Sequence, residues 1–110
     1  MSTAHFRIED RPEADEAVLR PTTAQLEPGH AQEFQIACLQ LLETGRRKLV
    51  VNLCGFRAIP SIMIGAVLDA YSLANGRELV LVADAGTADM FRKLVPRLIS
   101  IMEPPPGGQA

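Results

Sequence analysis

The sequence predicts an α/β sandwich: a mixed, mostly parallel β-sheet of four or five strands packed against helices. Three observations predict it. Two continuous apolar runs, KLVVNL at 48–53 and ELVLVAD at 78–84, have the pattern of buried strands rather than of half-exposed alternating ones. Around them, apolar residues recur at three- and four-residue spacing, the signature of helix faces. The resulting order of strand, helix, strand, helix, strand is that of parallel strands joined by right-handed crossovers.

Taken in order, HFRIE at 5–9 and AVLRP at 17–21 are short strands, and the acidic, proline-containing DRPEADE between them predicts a hairpin turn that adds an antiparallel member to the sheet. From Gly29 to Thr44, the apolar residues Ala31, Phe34, Ala37, Cys38, Leu41 and Leu42 line one helix face, and Gly45 is placed to end it. The run 48–53 ends in a Cys-Gly turn and reads as a strand covered on both faces. A second helix is expected from Ser61 to Asn75, with Gly76 as its stop, followed by the strand 78–84. The third helix is expected over 87–95, with Thr87 as N-cap and Pro96 just beyond its end. LISIM at 98–102 is the last strand candidate, which makes one domain of residues 1–103, and the Pro/Gly-rich 104–110 reads as a disordered tail.

With 110 residues, 47% of them hydrophobic and 22% charged, the chain has the composition of one globular domain with a single core. Eleven Lys and Arg against thirteen Asp and Glu give a net charge of −2, with no basic run or interleaved aromatics, so nucleic acid is not an expected partner. MSTAHFRIED lacks the basic start and apolar core of a signal peptide, and no stretch reaches the ~18 apolar residues of a membrane span. A cytoplasmic protein without membrane insertion is the expectation. Cys38 and Cys54 do not form a close-spaced metal motif, and His5 and His30 lack partners at ligand spacing. Both cysteines are expected to be reduced, buried packing residues.

In a sheet of this kind the functional edge lies beyond the carboxyl ends of the strands, here the segments 54–60 and 85–88. Neither an activated nucleophile with a nearby base nor a metal site is found along it. Glycines 55, 65, 76 and 86 match neither the Walker spacing nor the dinucleotide fingerprint. The chain therefore reads as a non-enzyme without a cofactor. Ser61 stands out by position: it begins a helix, where its hydroxyl is either a simple N-cap worth ~1 kcal/mol or, because an anion is well placed at a helix N-terminus, a tolerant site for phosphate. Ile62, Ala66, Ala70 and Leu73 trace one face of that helix, and Ile64, Val67, Leu68 and Tyr71 a neighbouring one. Both faces cannot fully enter one core. The excess at the helix start predicts a docking patch for another protein, unless the third helix or the 85–88 segment covers it.

Several of these stretches resemble the STAS family, named for sulfate transporters and anti-sigma factor antagonists, and the resemblance runs from about residue 5 to 103. VLRPTTAQLEPGHAQEF resembles the family's second strand and its Gly-x-Leu-Asp stretch, with Leu26 and Glu27 on the Leu-Asp. KLVVNLCGFRAIPSIMIGAVLDAY resembles the third strand and the motifs Asp-Leu-Ser-Gly-Val and Asp-Ser-Ser-Gly-Leu-Gly: Asn52, Leu53 and Gly55 fall on the first, Ser61, Ile64 and Gly65 on the second. GRELVLVADAGTADMFRKL resembles the next strand, loop and helix. The resemblance implies a STAS-like sandwich and a bacterial regulatory protein that binds a serine kinase-type anti-sigma factor or another STAS or signalling protein. It places the phosphorylated serine on Ser61; Arg57, Pro60, Ile62, Met63 and Thr87, at the functional edge around that serine, are the partner-binding candidates. Self-association is compatible with it. The chain departs from the motif at Pro60, where the family has an acid, and at Ile62-Met63, where it has Ser-Gly. Two alternatives stay open: a non-phosphorylated scaffold subunit of a stress-signalling assembly or of a lipid or anion transport system, and a module binding a small ligand or nucleotide.

Overall fold

The computed structural model describes residues 3–94 and 100–102. Five strands form one sheet in which spatial order equals chain order: β1 (Phe6–Arg11), β2 (Glu16–Pro21), β3 (Lys48–Asn52), β4 (Glu78–Val82) and β5 (Ser100–Met102). The β1–β2 pair is the expected antiparallel hairpin, and every later pair is parallel. Three helices make the crossovers: α1 (Ala31–Glu43), α2 (Ser61–Leu73) and α3 (Ala85–Leu94). Because each right-handed crossover steps to the next strand in the same direction, all three helices are laid on one face of the sheet.

The register shows the consequence. Leu19, Val51 and Leu81 are aligned across β2, β3 and β4 and belong to the main core with Phe34 and Leu41 of α1, Met63 and Val67 of α2, and Phe91 of α3. Each such large apolar side chain contributes about 1.5–3 kcal/mol by leaving water. One residue along, Val18, Val50 and Val80 form a row that points to the opposite face and clusters separately with Val82. The expectation that 48–53 is a strand with both faces covered is thus corrected in part: Val50 is buried, but among the described residues no helix residue joins its cluster. That face is edged by charge. Arg20 pairs with Glu9 at 3.0 Å, Arg11 bridges Glu9 and Glu16 at 3.2 Å each, and Lys48 reaches Glu16 at 3.7 Å.

Local chemistry sets the boundaries. A 3-10 turn over Pro28–His30 precedes α1, so the helix begins at Ala31 rather than at Gly29. Gly45, at φ +72, takes the left-handed conformation that ends α1 and donates to Leu42 O at 3.2 Å. The third helix starts earlier than its sequence signal: Ala88 N donates to Asp84 O at 2.8 Å, so the helix begins at Ala85, and 85–88 is its first turn rather than a loop. Thr87 is therefore inside α3 and does not cap it. Residues 95, 98–99 and 104–110, assigned above to the helix end, the last strand and the tail, lie outside the described residues. Among the described residues, no helix is long and apolar enough to cross a membrane.

Candidate functional site

The carboxyl end of β3 is held by polar groups from three neighbours. Asn52 turns its side-chain oxygen back to accept from Cys54 N at 3.0 Å, a local turn that the short amide side chain favours. Leu53 N donates to Val82 O at 2.7 Å, extending the β3–β4 pairing by one bond. Gly55 sits at φ +93, where a side chain would be strained, and its N–H donates to the Asp84 carboxylate at 3.0 Å. The Thr87 hydroxyl donates to Phe56 O at 3.3 Å. The end of β4 and the start of α3 thus clamp the turn that leads into α2.

Cys54 lies in this turn half-buried, which corrects its expected burial, while Cys38 is buried as expected; both thiols are free. Burial, with the Asp84 carboxylate beside it, pushes the Cys54 thiol above its ordinary value, and burial pushes Cys38 up to about 12. Both are held in the protonated, weakly nucleophilic form.

The first turn of α2 differs from its sequence reading in one respect. Pro60 takes the N-cap position, at φ −55 and ψ 137, and Ser61 is the first helical residue, with no side-chain cap. Pro60 O accepts from Met63 N at 2.9 Å and Ile64 N at 3.4 Å. The proline ring fixes the φ that the cap needs, so the serine is displaced one position inward and its hydroxyl caps nothing. Ser61 is exposed.

The other candidate residues separate by burial. Ile62 is 61% exposed, and Arg57 is also exposed. Met63 is 1% exposed and packs in the core, and Thr87 is 5% exposed and bonded to the 56 carbonyl. Neither of those two offers its side chain to a partner, which removes them from the candidate surface. Arg57, half-buried Pro60, Ser61 and Ile62 remain along one edge. Arg57 also borders a shallow depression shared with Leu26 and Phe56.

The two histidines lie elsewhere, at the start of β1 and before α1, with ring centroids 4.5 Å apart. His5 bonds Glu33 through its ring at 2.7 Å and also through its backbone N–H, and His30 accepts from Glu27 N at 3.2 Å. Among the described residues, no group of three or more His, Cys, Asp or Glu is arranged to hold a metal ion.

Sequence reasoning did not assign the clamp made by Asp84 and Thr87. Its only trace is an Asp closing the 78–84 run, two residues past the end of β4, a residue with many other uses. No family model and no curated protein matches the chain. Among solved structures, a Thermotoga maritima protein described as a candidate anti-sigma factor antagonist matches 92% of this chain and 87% of its own, with a TM-score of 0.72 and 19% identity. Identity that low carries the architecture alone, and the architecture agrees: this chain has the fold of that anti-sigma factor antagonist, the one its STAS resemblance implied.

Proposed function

We propose that this chain is a non-enzymatic regulatory protein that docks a protein partner on the first turn of α2, and that phosphate on Ser61 releases that partner. The partner class the resemblance favours is a serine kinase-type anti-sigma factor. The observation that carries the reading is the contrast within a single turn: Ser61 and Ile62 face solvent while Met63 and Ile64 are locked in the core. A hydroxyl therefore stands beside a large exposed apolar side chain on a rigid support.

The magnitudes suit a switch. Phosphorylation adds about −1.5 to −2 charges, which the helix N-terminus offsets by about 0.3–2 kcal/mol. Burying such a group unpaired against an apolar partner surface costs roughly several kcal/mol. Each ~1.4 kcal/mol is tenfold in affinity, so the modification abolishes docking while leaving the fold intact.

A second reading, a permanent scaffold subunit, is favoured by Pro60 standing where the family has an acid and by Met63 being core rather than glycine. Ser61→Ala and Ser61→Asp, compared for partner affinity and for stability, separate the two. The switch predicts that Ala binds and Asp does not; the scaffold predicts that both bind. In either case Ser61→Ala changes stability by no more than about 0.5 kcal/mol, because no cap is lost. Incubation with the cognate kinase and ATP should label Ser61, and labelling at another residue, or none, sinks the switch.

A further inference from the structure

Away from Ser61, the outer surface of the helix layer carries a groove between α1 and α2. Its floor is made of small or buried side chains, Cys38, Ala66 and Ala70. Leu39 and Leu73 form its rims at one end, 47% and 52% exposed, and Ile62 borders it at the other. Along α2, Ile62 to Leu73 spans on the order of 16 Å at ~1.5 Å per residue, about three helical turns. Large apolar rims over a small-residue floor, between two side-by-side helices, fit the apolar face of a third helix.

Charge narrows the occupant. The only charged residues of α1 and α2 are Glu33, Glu43 and Asp69, and none of the chain's Lys or Arg residues lies in either helix. Asp69 borders both ends of the groove, is exposed, and has no ion-pair partner among the described residues. Arg77, which follows α2, has its guanidinium engaged by the Leu42 and Ala74 carbonyls at 2.8 and 2.9 Å. We infer that the α1–α2 groove is a second docking surface, and that it takes a basic amphipathic helix from a partner protein, with apolar side chains between Leu39 and Leu73 and a Lys or Arg on Asp69. The inference is independent of phosphate on Ser61, and its decisive residues lie at the far end of α2 from that serine.

The test uses two synthetic amphipathic peptides of about fourteen residues, the length of the groove with a margin at each end. Both present leucines at helical spacing; one carries lysines on the flanks and the other glutamates. Binding is followed by amide chemical shifts of the isotope-labelled full chain. The lysine peptide should bind roughly five- to tenfold tighter than the glutamate peptide, with shifts centred on Leu39, Asp69 and Leu73. Asp69→Lys should reverse that preference. Leu39→Gln and Leu73→Gln, which leave charge unchanged and alter only exposed rims, should each weaken binding about fivefold or more without changing the melting temperature. The proposal is overturned if neither peptide binds, if the shifts fall elsewhere, or if Asp69→Lys leaves the preference as it was. It is also overturned if the chain alone dimerises and Leu73→Gln abolishes the dimer, because the groove then belongs to a second copy.

Discussion

Ile62 and Met63 are adjacent, similar in size, and opposite in role: one is 61% exposed, the other 1%. Replacing Met63 by Ala should cost about 2–5 kcal/mol in denaturant titration, as expected for a cavity in a packed core. Ile62→Asp should leave stability within about 0.5 kcal/mol and weaken partner binding tenfold or more in a direct affinity measurement. A large loss of stability in the Ile62 variant would show that it serves the core instead. The periodicity of α2 marked an excess of apolar surface but did not say which residue carried it, because both of its faces are apolar and packing against α1 and the sheet decides between them. The N-cap alternative for Ser61 fails for a related reason. Serine before an apolar helix is the usual sign of an N-cap, and only the backbone shows that Pro60 already occupies that position.

Between elements, Arg77 joins the ends of α1 and α2, donating from Nη1 to Leu42 O, 35 residues away in sequence, and from Nε to Ala74 O. A guanidinium at two helix C-termini adds a charged donor to carbonyls that also accept from Gly45 N and Arg77 N, and it faces the negative ends of both dipoles. Arg77→Ala should therefore lower the unfolding free energy by about 1–3 kcal/mol, and Arg77→Lys should recover only part of it, since an ammonium lacks the planar fork that reaches two carbonyls. Equal stability of all three proteins in urea would show that water replaces these bonds without loss. The sequence gives no warning of this contact. Arg after Asn-Gly is ordinary turn chemistry, and its partners depend on how α1 and α2 pack. The strands were legible because a buried apolar run needs no knowledge of its neighbours. The start of α3 was not, since Thr87 imitates a cap while spending its hydroxyl on the Phe56 carbonyl.

For the whole molecule, the parallel pairing of the crossover strands followed from the alternation of elements, but their spatial order, and with it the one-sided helix coverage, appears only when each crossover is seen to step the same way across the sheet. The β1 edge is tied to the helix layer by Phe6, whose ring lies 5.2 Å from that of Phe34 in the core. A polar contact reinforces the tie. Glu33 on α1 makes it. Burial alone would raise its carboxyl, but hydrogen bonds from Thr3, the His5 ring and the His5 backbone outweigh that and take it down to about 2 from an ordinary 4.5. Across the hairpin, the Arg46 guanidinium bonds Asp10 at 2.7 and 2.9 Å and holds that carboxyl below its ordinary value as well. Both groups bind protons more weakly when folded, so between pH about 4.5 and about 2 the unfolded chain takes up more protons and stability falls with pH. The stabilisation is fully present above the unfolded value and is lost as pH drops through the folded one. Glu33→Gln should therefore be less stable than the parent near pH 6, and the difference should shrink steadily in urea titrations taken down towards pH 2. A difference that stays constant across that range would show that the contact between His5 and residue 33 acts through shape and neutral hydrogen bonding, with no contribution from the charge of the carboxylate.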